Sequence, residues 1–313
     1  VITLLLVPLL LPWALPPLAR RTVRRVRPDI ALAAVTGATG ILAVGTIACL
    51  GALMLPLALR LPVVAGLAHL LHPVQAGPAA LVFAVATAAG SALAVALATL
   101  VRGATAEARR LRSAARTARG LPEAGGVCVL DDDRPHAFAL PSGLRGAGRV
   151  VVTAGMLRVL DAGEREALLG HERAHLTARH HLYLGLAHLA GWCHPALAAA
   201  VPSVSFAAER AADEAAARAC GDRRLAARAV GRAALAASAA RATSIPPALA
   251  PGGTTGPVPA RVGALLARTP VRRTAPALLA MVLLCSGAGA STAAGAVWLH
   301  RGVEVAQGEH PSD

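Results

Sequence analysis

Residues 30–58 contain no charged side chain, and neither do residues 79–101 or 275–299. In hydrocarbon every backbone N–H and C=O must be satisfied internally, so apolar runs of about 18 residues or more read as membrane-spanning helices. Composition agrees: the 313-residue chain is 55% hydrophobic with a mean hydropathy of +0.57, unlike a soluble domain of this size. Residues 1–19 are also apolar and hold four prolines. No positive charge precedes them, and Arg20, Arg21, Arg24, Arg25 and Arg27 follow. That order predicts a first span with its C-terminal end inside rather than a cleaved signal.

The arginines set the orientation. Arg102, Arg109, Arg110, Arg112, Arg116 and Arg119 follow the 79–101 run directly. The positive-inside bias places 20–27 and 102–274 in the cytoplasm, and both termini outside. Residues 59–78, with one Arg, two His and several Pro, read as an outside loop or a re-entrant segment. The predicted organisation is an N-terminal transmembrane region over 1–101 (spans about 1–19, 30–58 and 79–101), a cytoplasmic domain over 102–274, a C-terminal span over 275–299 and a short extracytoplasmic tail over 300–313.

Net charge is +14, and all 31 basic residues are Arg, which with the abundance of Ala, Gly and Pro points to a GC-rich bacterial genome. Aromatic residues are only 2%, too few to build stacking platforms, so direct nucleic-acid binding is not expected. Cys49, Cys128, Cys193, Cys220 and Cys285 are scattered without paired spacing, which favours neither a disulfide framework nor a cysteine-based zinc site.

Within 102–274, residues 104–119 read as an Ala/Arg helix. Val127 to Leu130, His136 to Leu140 and Arg149 to Thr153 read as strands of a small antiparallel sheet, with Gly143, Gly146 and Gly148 at a hairpin connection. Next comes His171-Glu172-Arg173-Ala174-His175. On a helix, positions i and i+4 share a face, so both imidazoles reach one metal ion and Glu172 is placed to take a proton from its water. That arrangement belongs to a zinc-dependent hydrolase. Asp161 and Glu164 form a predicted capping box for a helix from near Ala162 past His181. Residues 183–201 are apolar but short for a span, and read as a helix packed in the domain or at the membrane face. Helices are predicted over about 204–219, ending at Gly221, and on to about 242, followed by a loop over 243–259.

A catalytic zinc site usually takes three protein ligands. His180, His181 and His188 lie off the ligand face of the motif helix as predicted. His194 precedes Pro195 and is one candidate. Glu209 on the next helix is the better one, with Asp213 one turn on, where its carboxylate can orient a ligand His. Glu214 falls off that face and reads as solvated.

H-E-x-x-H followed by Glu209-x-x-x-Asp213 resembles the gluzincin-type membrane metallopeptidases. Two families share the pattern: the BlaR1-type antibiotic-sensor peptidases (M56) and the HtpX/Ste24-type peptidases (M48). His194-Pro195 and Arg261-Val262-Gly263-Ala264-Leu265-Leu266 resemble segments of the first. The strands His136-Ala137-Phe138-Ala139 and Val150-Val151-Val152-Thr153 are similar in both. The resemblance implies a multi-pass α-helical membrane protein with a mainly α (α+β) gluzincin-like domain. It implies His171, His175 and Glu209 as ligands of one Zn2+ per chain, Glu172 as general base and Asp213 as support. The BlaR1 sensor domain has no counterpart before Asp313, so any signal is expected from loops or a partner.

The expected activity is metal-assisted peptide hydrolysis at a bacterial cell membrane, in regulatory proteolysis of a cytoplasmic protein such as a repressor. An HtpX-like quality-control role and a non-catalytic sensor are the alternatives. The edge strand His136, Ala137, Phe138 and Ala139 would pair with an extended substrate. Expected partners are a protein or peptide substrate, the lipid bilayer and a second copy in a homodimer.

Overall fold

The computed structural model describes residues 2–67, 78–122, 124–142, 148–242, 257–267 and 275–307. Helix α1 (Ile2–Leu10) tightens into a 3-10 turn at Leu11–Ala14 and continues as α2 (Leu15–Arg25). Pro12 supplies no backbone donor at that turn. The helical path predicted as a span over 1–19 is therefore interrupted. Its second part is amphipathic: Leu15, Ala19 and Val23 are buried, whereas Arg20, Arg21 and Arg24 are exposed.

Among the described residues, three helices are long and apolar enough to cross a membrane. They are α3 (Pro28–Ala58), α5 (Ala79–Gly120) and α13 (Ala275–Ala306). The short α4 (Pro62–Leu67) lies in the expected outside loop, of which 68–77 fall outside the described residues. Helix α5 has 42 residues, so it extends about 63 Å, twice the roughly 30 Å hydrocarbon thickness. Its apolar half ends at Val101, and its Arg-rich half continues without a break into the next domain.

A three-stranded sheet follows: β1 (Val127–Leu130), β2 (Ala137–Leu140) and β3 (Arg149–Thr153), in the order β1-β3-β2. The β2–β3 pair is antiparallel, as the hairpin reading predicts, with Phe138 opposite Val151. The β1–β3 pair is parallel, so the sheet is mixed rather than wholly antiparallel. After β1 the chain runs through Asp131–His136 and β2 before β3 enters between the two, alongside β1. Strand direction follows that path and is not written in the strands themselves. Gly143 and Gly146 of the expected turn lie outside the described residues.

The rest of the domain is helical: α6 (Ala154–Val159), α7 (Ala162–Thr177), α8 (His180–Cys193), α9 (Pro195–Ala198), α10 (Val201–Cys220), α11 (Arg223–Ala242) and α12 (Val258–Leu266). The main core is shared between these helices and the candidate spans. Leu15, Leu32, Val35 and Leu42 pack with Ala187, Leu197, Val204, Ala207 and Met281. The 183–201 stretch is therefore helix packed inside this core. Gly103 of α5 lies against Trp192 of α8, where a Cβ would come within 1.9 Å of the indole. Thr99 Oγ1 donates to Trp192 O at 2.9 Å beside it.

Candidate active site

Helix α7 starts where the sequence indicates. Glu164 N donates to Asp161 Oδ1 at 2.8 Å, and Asp161 N donates to Glu164 Oε2 at 3.1 Å, closing the capping box. Arg232 of α11 reaches the buried Glu164 at 2.6 Å and fixes this end of the helix from outside. The helix does not run past His181 as expected. It ends at Thr177, and Arg179 takes the left-handed conformation (φ 52°). That turn redirects the chain, so His180 folds back against the motif. His180 is buried and turned toward the motif rather than off the ligand face as expected, and its Nδ1 lies 3.0 Å from His175 Nδ1. His188 is exposed, as predicted.

Small residues let α10 approach α7 closely. Ala212 and Ala216 are fully buried, and a Cβ on Gly170 would stand 3.3 Å from Ala219 Cβ. This contact carries Glu209 to the two histidines. His171 Nε2 and His175 Nε2 are 3.2 Å apart, and Glu209 oxygens lie 3.6 Å from the first and 3.7 Å from the second. Ligand atoms about 2.1 Å from one tetrahedral ion lie about 3.4 Å from each other. The three side chains therefore fit a single metal ion, and they form a group able to hold one. Two imidazoles turned nitrogen to nitrogen beside a carboxylate have no better common partner than a cation.

His194 is not part of this group. Its Nδ1 accepts from Ala196 N at 3.1 Å as the cap of α9, and its ring stands edge-on to Trp13. Glu214 is not solvated as expected, because Arg223 Nη2 donates to it at 2.8 Å. Asp213 takes the supporting place: its Oδ1 is 3.0 Å from His171 Nδ1, although the ring is not well aligned for a hydrogen bond.

Sequence reasoning missed Arg261. It is buried and reaches Glu209 and Asp213 of α10. Nε and Nη2 donate to Asp213 at 2.8 and 2.6 Å, and Nη1 lies 2.7 Å from Glu209 Oε2. The signal was present: Arg261 is the one charged residue in Val258–Leu266, and a lone charge in an apolar helix needs a buried partner.

The electrostatics follow from this packing. Burial lowers the proton affinity of His171, but Asp213 and Glu209 outweigh it and lift its pKa to about 10. Burial, with the neighbouring His171 charge, pushes His175 down to about 3, and burial pushes His180 down to about 4. Burial would raise Glu209 and Asp213, yet His171 and Arg261 hold both below the usual carboxylate range. Glu172 is raised, chiefly by burial, and Ala139 N–H donates to its carboxylate. Burial disfavours the charged form of a carboxyl and so raises its proton affinity.

His171, Glu172, His175, Glu209 and Arg261 line one cavity of about 670 Å³. His136, and Ala137, Phe138 and Ala139 of the following β2, line it beside His171, Glu172, His175 and Glu209. Strand β2 is an edge strand, as the sequence reading supposed. Much of the remaining wall is aliphatic, from Met156, Leu168, Val230 and Leu235.

Comparison with known proteins bears on the first half of this site. Residues 104–191 match Peptidase family M48. They run from the Arg-rich half of α5 through the sheet and the motif helix into α8. A protein described as "Protease HtpX homolog" from Thermoplasma acidophilum is 43% identical over 59 residues. The alignment covers 19% of this chain, and the chain spans 17% of that relative's length. No solved structure matches. The match falls on the second of the two families that the motif pattern resembles. Glu209, Asp213 and Arg261 lie beyond the matched residues and rest on geometry alone.

Proposed function

We propose that this chain is an integral-membrane zinc endopeptidase of the HtpX kind. The observation that carries the reading is the close group of His171, His175 and Glu209 with Glu172 behind it, inside a cavity edged by β2. The two histidines and Glu172 lie in the segment matched to M48 peptidases. His171, His175 and Glu209 would hold the ion. Zinc, when bound, supplies Lewis acidity toward the scissile carbonyl and acidifies a coordinated water. Glu172 accepts the proton on its carboxylate and delivers it to the leaving amine. Asp213 orients His171, and His180 does the same for His175 through Nδ1. The outer edge of β2 pairs with an extended substrate backbone beside the Ala139 N–H that Glu172 takes, and the aliphatic wall receives a neighbouring apolar side chain.

Of the two roles that the resemblances imply, the M48 match favours broad proteolysis of membrane-associated or unfolded chains over regulated cleavage of one repressor. In this reading 102–274 is cytoplasmic, with zinc at one ion per chain. The test is metal removal. The detergent-purified protein is assayed on an unfolded protein substrate, treated with a chelator, and reassayed after zinc is restored. Cleavage should vanish on chelation and return with zinc. Cleavage that survives complete removal of zinc contradicts the proposal. Cleavage of a single repressor and no unfolded chain would restore the regulatory role.

A further inference from the structure

We propose that Arg261 is a positioning residue for the metal centre: its planar guanidinium fixes the ligand carboxylate of Glu209 and the Asp213 carboxylate together. The inference rests on the metal-site reading above and deepens it. Glu209 and Asp213 are one turn apart on α10, so they lie on the same face. Both are largely removed from water, with side-chain exposures of 16% and 2%. Two like charges so placed repel each other, and they need a cation to offset them and a donor to fix them. Arg261 does both jobs from another element. Nε and Nη2 take the two oxygens of Asp213, and Nη1 takes Glu209 Oε2. All three guanidinium nitrogens are engaged, and the side chain is only 6% exposed. Glu209 Oε1, which faces His175 Nε2, is the oxygen that Arg261 leaves.

The consequence reaches both histidines. Asp213 Oδ1 stands 3.0 Å from His171 Nδ1, so fixing Asp213 fixes the charge beside that ring. Glu209 is held by one oxygen, so its other oxygen has a defined direction. A lysine ammonium is a point charge and cannot hold a fork on one carboxylate while reaching a second. The delivery of Arg261 is also specific. Its helix α12 is held at its C-terminal end by Arg223, whose Nε donates to Leu265 O at 3.0 Å and which pairs with Glu214 of α10. Two arginines thus tie α12 to the helix that carries the third ligand.

The test compares the full-length protein in detergent with Arg261→Met and Arg261→Lys. Zinc affinity is read by chelator competition, and the visible spectrum of the cobalt-substituted protein reports ligand geometry. Loss of an outer partner of a metal ligand typically weakens binding by about 10–100-fold, and that range is expected for Arg261→Met, with altered cobalt bands. Arg261→Lys should remain at least severalfold weaker than the parent, because charge alone does not restore the fork. A folded Arg261→Met with parental zinc affinity and cobalt spectrum overturns the proposal. Where Arg261→Met does not fold, a folded Arg261→Lys indistinguishable from the parent overturns it equally. A fall in kcat with unchanged metal binding would make Arg261 a substrate contact and also overturn it. A parent protein that binds no zinc overturns the functional reading and this inference together.

Discussion

His171 shows how strongly one residue at this site depends on its neighbours. Two buried carboxylates lift its pKa to about 10, so without metal it carries a proton at neutral pH. A ligand imidazole must be neutral, so metal binding has to expel that proton. The sign follows: raising the pH removes the competitor and strengthens binding. Zinc affinity should rise about tenfold per pH unit between pH 6 and 9, with about one proton released per ion bound. Calorimetry in buffers of different ionisation enthalpy checks this, and a flat profile would contradict it. His180 gives a second expectation. It backs His175 at 3.0 Å, so His180→Ala should weaken zinc binding by about tenfold while the fold, followed by circular dichroism, stays intact. Glu209→Ala removes a ligand itself and should lose more than that. The sequence announced His171, Glu172 and His175 because helical periodicity alone brings them together. It also pointed to Glu209 and Asp213 as an i, i+4 pair. It did not disclose His180 or Arg261. The first needs a left-handed turn at Arg179, which no glycine or proline marks. The second needs a helix 48 residues downstream of Asp213 to return to the site.

At the scale of elements, what was legible was whatever a local rule decides. The Asp161–Glu164 box started α7, the apolar runs became α3, α5 and α13, and β2 paired with β3 as a hairpin. The direction of β1 and the end of α7 were not legible, because each is decided by where the chain must go next. Contacts between elements are equally non-local. Gly103 of α5 matters only because Trp192 of α8 lies on it. In an isolated helix Gly103→Ala would be favourable by about 1 kcal/mol. Here the added methyl meets the indole, and overpacking costs about 1–3 kcal/mol. Gly103→Ala should therefore lower the thermal midpoint in detergent, whereas an alanine at Gly37, which meets nothing within 4 Å, should not.

For the whole molecule, the same core joins the candidate spans to the helices of the site. Leu15 and Val35 pack with Ala187 and Val204, and Arg210 of α10 donates to Val23 O of α2 at 2.7 Å. The His171, His175 and Glu209 group is thus built on helices that share one core with the candidate spans. Arginines gather at the end of α2 and along the second half of α5, a pattern from which the positive-inside bias predicts a cytoplasmic location for both. A reporter fused after residue 120 should therefore report a cytoplasmic location, and a periplasmic one would reverse the topology. In the proposed mechanism Glu172 works on a zinc held by His171, His175 and Glu209. That mechanism is tested most directly by measuring zinc content and cleavage of an unfolded substrate on the parent and on Glu172→Gln side by side. One zinc per chain is expected in both, with turnover in the variant reduced by about 10²–10⁴-fold. Undiminished cleavage by Glu172→Gln, or a parent that turns over without zinc, would contradict it.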